Sequence, residues 1–227
     1  MESKLVAVDS FRLDPDDIYR CSAFQHFVWQ HHGFGTRVNN PEADVTLRQV
    51  HSNRVLNANG LGDRTAEGDA LISDEPYKTV GVRTADCVPI LLLDARNHAV
   101  AAVHAGWRGT AAEIARATVD QMQAQFGSAP SDLYAAIGPC ARECCYRVSA
   151  EVAAQFTPYF PEWGPVVDAR NLDLPAANEM QLRGAGLSDQ HIFDSGLCTI
   201  CQAERFFSYR REPSNPGRMV TAIGRLA

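Results

Sequence analysis

No stretch of this sequence is apolar for long enough to cross a bilayer. The longest apolar run is VPILLL, residues 88–93, against the roughly 20 residues a membrane helix needs. Excess positive charge is missing too. Lys and Arg number 21 against 27 Asp and Glu, a net charge of −6, and duplex nucleic acid recognition normally requires a basic face. No block of like charge occurs; DPDD at 14–17 comes nearest and reads as a solvated turn. The opening MESKLVAVDSFRLDPDD has no apolar core and no small-residue cleavage site, so no secretory leader is expected there. Repeats, low-complexity tracts and Gly/Ser-rich linkers are also absent. One domain over residues 1–227 is the simplest organisation.

What is present begins with seven cysteines: Cys21, Cys87, Cys140, Cys144, Cys145, Cys198 and Cys201. An odd number cannot pair fully within one chain. Thiols kept reduced in a cytoplasmic compartment, as ligands or core residues, fit better than a disulfide framework.

Short β-like runs, rich in Val, Ile, Leu and Ala, fall at 54–57, 70–73, 79–82, 88–93, 99–104, 132–137, 191–194 and 219–224. Three helices interleave. The first is expected over 111–126, where Ala115, Val119, Met122 and Phe126 share a face. Thr110 and Glu113 are spaced as a capping box, and Gly127 follows as a stop. The second covers 149–156 with Ser149 as N-cap, and the third 174–186 with Asp173 as N-cap. Strands and helices mix, but many strands are joined by short turns. The expected fold class is therefore α/β, or α+β, with mixed sheets rather than a purely parallel one.

Two of the runs form a hairpin with a thiol at its front and an imidazole at its back. A two-residue loop at 95–96 would pair Asp94 with Asn97, and the same register sets Cys87 directly across from His104. Cross-strand partners have Cβ atoms about 4.5–5.5 Å apart. That separation suits two ligands of one metal, or a nucleophile and its base. His104 opens HAGWRG, residues 104–109, a strand running into a Gly-flanked turn. Gly106 and Gly109 would let backbone N–H groups approach a ligand, and Arg108 adds a planar cation. His51, in LRQVHSNRV, would complete a Cys/His₂ set. Three protein ligands with one open position is the pattern of catalytic zinc.

QVHS (49–52), TADC (84–87), HAGWRG (104–109), IGPC (137–140) and FFSYRRE (206–212) occur in this order. Together they closely resemble the YfiH-like family, from about residue 30 to the C-terminus. Its members have been called laccase-domain or polyphenol oxidases, peptidoglycan editing factors and zinc-dependent purine nucleoside phosphorylases. The chain departs from the pattern at 31–40, HHGFGTRVNN, which keeps Arg37 without a following glycine pair, and at Arg147, where an acidic residue is common. The resemblance implies one α/β domain of mixed sheets packed together and flanked by helices. It implies His51, Cys87 and His104 as ligands of zinc, with copper as the other candidate. It also implies phosphorolysis of adenosine, inosine, guanosine and methylthioadenosine, with adenosine deamination. The partners would then be a purine nucleoside and phosphate.

Arg37, Arg48, Gln49, Arg108 and Arg210 are the candidate substrate-binding residues. Tyr209 and Phe207 admit either base stacking or core packing. A conventional multicopper laccase is excluded by counting, because it needs a further histidine-rich copper cluster built from H-x-H pairs. This chain has seven histidines and no H-x-H. A Cys87–His104 amide hydrolase acting on cell-wall precursors is the alternative enzyme. A non-enzymatic metal protein is the third reading, disfavoured because structural zinc is usually closed by four protein ligands. The C-x-x-C at 198–201, with Cys140, Cys144 and Cys145, has the residues of a structural zinc site, but packing at the core edge is the preferred expectation.

Overall fold

The apolar runs become strands because each can bury one or both faces, and in this protein most bury both. The computed structural model describes residues 10–214 and 217–227; most of the opening segment read above for a leader lies outside them. The strands and helices follow in chain order. β1 (Phe11–Leu13), β2 (Tyr19–Cys21) and β3 (Gln30–Phe34) come first. β4 (Val55–Asn57), β5 (Ala70–Ser73), β6 (Thr79–Thr84), β7 (Val88–Asp94) and β8 (Val100–Ala105) follow. Then come α1 (Trp107–Ala111), α2 (Ile114–Phe126), β9 (Leu133–Ile137), β10 (Arg147–Val148), α3 (Ala150–Ala154), β11 (Arg170–Asn171), α4 (Leu174–Gly184), β12 (Ile192–Asp194) and β13 (Met219–Arg225).

One sheet runs β1-β2-β3-β13-β6 and is antiparallel throughout. The other runs β12-β9-β7-β8-β5-β4, antiparallel at its centre and parallel at both edges. β10 and β11 pair separately. The result is the mixed α/β architecture the sequence implies. The helices cover one face of the six-stranded sheet, and the five-stranded sheet covers the other.

β7 shows why VPILLL has no polar alternation. Val88, Ile90 and Leu92 pack with α2 and α4, while Leu91 and Leu93 pack between the sheets against Phe34, Val80 and Ile223. A strand buried on both faces reads as a continuous apolar run. Among the described residues no helix is long and apolar enough to cross a membrane.

The helix predicted over 111–126 is α2, which starts only at Ile114, and Ala111 ends the separate short helix α1. Glu113 takes a left-handed conformation, φ 61°, and breaks the chain between α1 and α2. Thr110 therefore does not cap. It is buried inside α1, where its hydroxyl accepts from the Asn178 amide at 3.0 Å. The other punctuation holds: Gly127 ends α2 at φ 69°, and Ser149 and Asp173 cap α3 and α4 by accepting from Val152 and Ala176 N–H.

The hairpin register differs from the expected one. The Asp94 carboxylate accepts from the backbone N–H of Arg96 and Asn97 at 2.8 and 2.9 Å. That turn lengthens the loop, so Leu93 pairs with Val100 and Pro89, not Cys87, pairs with His104. A slip of two positions preserves the face. Cys87 consequently lies diagonally across from His104, just beyond the strand end. All seven cysteines are free, but Cys144 and Cys201 are exposed. Core-edge packing accounts for Cys140 and Cys198 and not for those two.

Candidate metal centre

The face of the six-stranded sheet that meets the other sheet is apolar at Leu71, Leu91 and Ala102. One layer further along it turns polar. β5 pairs Ala70 with Val103, which brings the preceding Asp69 opposite His104. The His104 N–H donates to the Asp69 carbonyl at 2.7 Å. The side chains meet as well, with His104 Nδ1 2.8 Å from Asp69 Oδ1. Asp69 is fully buried and His104 is 3% exposed.

Asp69 also organises the loop carrying His51. Its carboxylate accepts from the N–H groups of Val50, His51 and Ser52 at 3.3, 2.9 and 2.6 Å, and from the Ser52 hydroxyl at 2.7 Å. These bonds hold His51 in the left-handed region at φ 61°, a conformation costing a non-glycine residue roughly 1–3 kcal/mol. The His51 ring meets the His104 ring edge to face, centroids 4.8 Å apart. One donor atom from each of His51, Cys87 and His104 lies within 4.8 Å of the other two.

Gly106 makes this convergence possible. A Cβ there would sit 2.9 Å from His51 Cδ2 and 3.1 Å from Cys87 Sγ. Gly106→Ala is expected to weaken metal binding by roughly 10–100-fold, the range for changes just outside a ligand shell, with little loss of fold. Chelator competition measures it; unchanged affinity would show that the donors do not depend on this approach. Gly109 serves packing instead. It lies within α1, where a Cβ would fall 2.9 Å from the Ser52 carbonyl oxygen.

Three side chains in contact also shift one another's protonation. Burial disfavours the Cys87 thiolate, yet the charge of His104 and hydrogen bonds from His104 and His51 bring the thiol down to about 6. Burial likewise opposes the His104 imidazolium, but Cys87 and the Asp69 hydrogen bond lift it to about 9. Burial would raise Asp69, and hydrogen bonds from His104 and Ser52 hold it at about 2.

The donor set fits a metal on chemical grounds. Asp69 occupies His104 Nδ1 and leaves Nε2 for coordination, the usual carboxylate–histidine support. Cys87 is readily a thiolate, and two imidazoles with one thiolate suit zinc or copper. The three donors open onto a cleft of about 750 Å³.

Gln49, Arg108 and Arg210 line this cleft, with Trp107, Tyr146 and Tyr209. Arg108 stacks on the Trp107 ring at 4.4 Å and Arg210 on the Tyr146 ring at 4.9 Å. Gln49 is committed at both ends of its amide, donating to the Arg83 carbonyl and accepting from the Arg83 N–H, both at 2.8 Å. The sequence-predicted Arg37 and Arg48 are not on the cleft wall. Arg37 is bound to Glu212 at 2.6 Å and lies over Phe207, and Arg48 faces Glu67 at 4.0 Å. Phe207 packs into the inter-sheet core, while Tyr209 is 52% exposed at the cleft. Arg64, Arg83 and Arg218 complete the basic wall. Sequence reasoning missed these three and Asp69.

Residues 31–226 match the family described as "Multi-copper polyphenol oxidoreductase laccase". The chain belongs to this family. Within this laccase-like, YfiH-type family it is 40% identical over 163 residues to "Purine nucleoside phosphorylase YlmD" of Geobacillus stearothermophilus, covering 69% of this chain and 60% of the relative. It is 41% identical over 182 residues to "Purine nucleoside phosphorylase" of Deinococcus radiodurans, covering 78% and 68%. A protein from an unknown prokaryotic organism, "Adenosine deaminase RL5", is 38% identical over 196 residues, covering 80% and 74%. The crystal structure of YlmD from Geobacillus stearothermophilus superposes with a TM-score of 0.85 at 30% identity, covering 96% of this chain and all of the other. The family's description speaks of several coppers. Among the described residues, the groups able to hold a metal are this His/Cys/His set and a group of four cysteines, neither of them a paired-histidine cluster.

Proposed function

We propose that the protein is a metal-dependent purine nucleoside phosphorylase that also deaminates adenosine, and that residues 1–227 act as one catalytic unit. The observation that carries this reading is an open three-donor set on the floor of a cleft walled by five arginines. The cleft volume of about 750 Å³ suits a nucleoside with phosphate, within the usual range for small-molecule sites. The names of the relatives from Geobacillus stearothermophilus and Deinococcus radiodurans support phosphorolysis, and that of RL5 supports deamination.

His51, Cys87 and His104 hold the divalent cation in this reading, zinc in preference to copper. Such a cation supplies Lewis acidity to an open coordination position. Arg108 and Arg210, braced on Trp107 and Tyr146, seat phosphate by planar, charge-assisted donors. Arg64, Arg83 and Arg218 add positive charge around it. Tyr209 offers an exposed ring for the purine. A phosphate oxygen forms a bond to the sugar C1′ as the C1′–N9 bond breaks, and the purine leaves with a proton. Deamination adds water at C6 of adenine and releases ammonia.

The test supplies adenosine and inosine to metal-quantified protein, with and without phosphate. Free base and ribose 1-phosphate are expected only with phosphate, and inosine from adenosine without it. Metal-loaded protein that turns over neither nucleoside would defeat the reading.

A second reading has one specific observation behind it. Cys87, His104 and Asp69 stand in the order nucleophile, base and orienting carboxylate, with the thiol lowered and the imidazole raised. A thiol amide hydrolase acting on cell-wall precursors would use the same three. Its activity would survive chelation, whereas nucleoside turnover would not.

A further inference from the structure

Four cysteines that the cleft does not use lie together on two facing turns. The segments bearing them run side by side for one step, where the Cys140 N–H donates to the Leu197 carbonyl and the Thr199 N–H to the Cys140 carbonyl at 3.2 and 2.9 Å. Each segment then turns. The N–H groups of Cys145 and Tyr146 return to the Arg142 carbonyl at 2.9 and 2.8 Å, and that of Gln202 to the Cys198 carbonyl at 3.1 Å. One turn presents Cys144 and Cys145, and the other presents Cys198 and Cys201.

All four Sγ atoms lie within 4.8 Å of one another. Cys201 Sγ is 3.3 Å from that of Cys145 and 3.6 Å from that of Cys144. Four sulfurs around one zinc at a bond length of about 2.3 Å would be spaced by about 3.8 Å; the separations of 3.3 and 3.6 Å lie just below that value, and every pair is within 4.8 Å. Arg211 fixes the turn bearing Cys198 and Cys201 by donating to the Thr199 and Ile200 carbonyls at 2.7 and 3.0 Å. A single disulfide would engage two of the four sulfurs and leave the other two crowded against it. One thiophilic cation engages all four.

We propose that Cys144, Cys145, Cys198 and Cys201 form a closed tetrathiolate site for one structural zinc ion, distinct from the open His51–Cys87–His104 set. The site joins the two segments that support the cleft from below. Thr199 in one turn donates to Asp86 Oδ1 at 2.7 Å, and the Ala141 N–H ahead of the other donates to the Asp86 carbonyl at 2.9 Å. Asp86 immediately precedes Cys87 and is held at φ 88°. Tyr146, next to Cys145, lines the cleft itself. A cation clamping the two turns therefore fixes the backbone on which Cys87 stands.

The decisive measurement uses the full chain carrying Cys87→Ala, which removes the thiolate of the other set. After zinc-supplemented expression this protein is expected to retain about one zinc per chain, with X-ray absorption showing four sulfurs at about 2.3 Å. Adding Cys145→Ser and Cys201→Ser should abolish that zinc. If the triple variant does not fold, the sulfur count on Cys87→Ala alone decides. If Cys87→Ala does not fold, wild type with both sites filled should average about 2.5 sulfurs per zinc. A zinc-free Cys87→Ala protein, a zinc shell of nitrogen and oxygen, or a disulfide between Cys145 and Cys201 trapped by alkylation and mass spectrometry would each overturn the proposal. None of these outcomes depends on nucleoside turnover.

Discussion

Cys87→Ala is expected to abolish nucleoside phosphorolysis, with a fall in kcat/KM of at least about a thousandfold. Cys87 supplies the one anionic donor of the open set, and without it two imidazoles must hold the cation alone. Lewis-acid stabilisation is worth several kcal/mol, and each 1.36 kcal/mol is a factor of ten. The fold should survive, because the removed sulfur is half-buried at the cleft rather than packed in either core. Circular dichroism and melting temperature check that point. Loss of activity in this variant alone does not separate a metal ligand from a nucleophile, so His51→Ala is the companion. His51 is a donor in the metal reading and lies outside the nucleophile–base pair of the amide-hydrolase reading. Its loss is expected to cost activity on the same scale, and turnover within about threefold of wild type would refute metal dependence. In metal-free wild type, alkylation of Cys87 should be rapid at pH 7 and slow as pH falls below about 6, since its thiol is lowered to about 6 and only the thiolate reacts.

The parts of this protein legible in its sequence are those with local causes. The eight apolar runs are strands within one or two residues at each end; two-sided burial demands uninterrupted apolar side chains in β5, β7 and β8, whereas the edge strands β4 and β12 are only half-buried. β1, β2 and β3 were invisible for the opposite reason. FRL, YRC and QHHGF carry polar and charged side chains, and His32 in β3 is used internally, accepting from the Cys21 N–H at 2.9 Å. The thiol–imidazole pair is legible even though the hairpin register differs by two positions from the one a two-residue loop implies. An even slip keeps both side chains on one face. Arg83 and Arg218 share a wall only once β6 and β13 are paired, and Arg64 joins them from the segment ahead of β5, where its N–H donates to the Thr46 carbonyl. Asp69 carries no signal in GDA; its position opposite His104 is a property of the β5–β8 register.

Asp69→Asn is the change of one atom with the largest consequence expected outside the donor set itself. Every oxygen lone pair of this carboxylate faces a donor. Oδ2 receives the Val50 N–H and the Ser52 N–H and hydroxyl, and Oδ1 receives the His51 N–H and His104 Nδ1. An asparagine NH₂ placed at Oδ2 points at three donors. Placed at Oδ1, it opposes the His51 N–H and asks His104 Nδ1 to accept, which moves the imidazole proton to Nε2, the nitrogen needed for coordination. Both orientations also loosen the bonds that hold His51 at φ 61°. Metal affinity is expected to fall roughly 10–100-fold. Stability should fall too, with a defined pH dependence. The folded carboxyl is lowered from 3.8 to about 2, so its contribution, about 2 kcal/mol at 1.36 kcal/mol per unit, is fully present above pH 3.8 and lost as pH falls through about 2. Melting curves of the metal-free proteins should therefore differ at pH 6 and converge near pH 2. Equal metal affinity in the two proteins, or a gap that persists at low pH, would show that the carboxylate charge does not organise this centre.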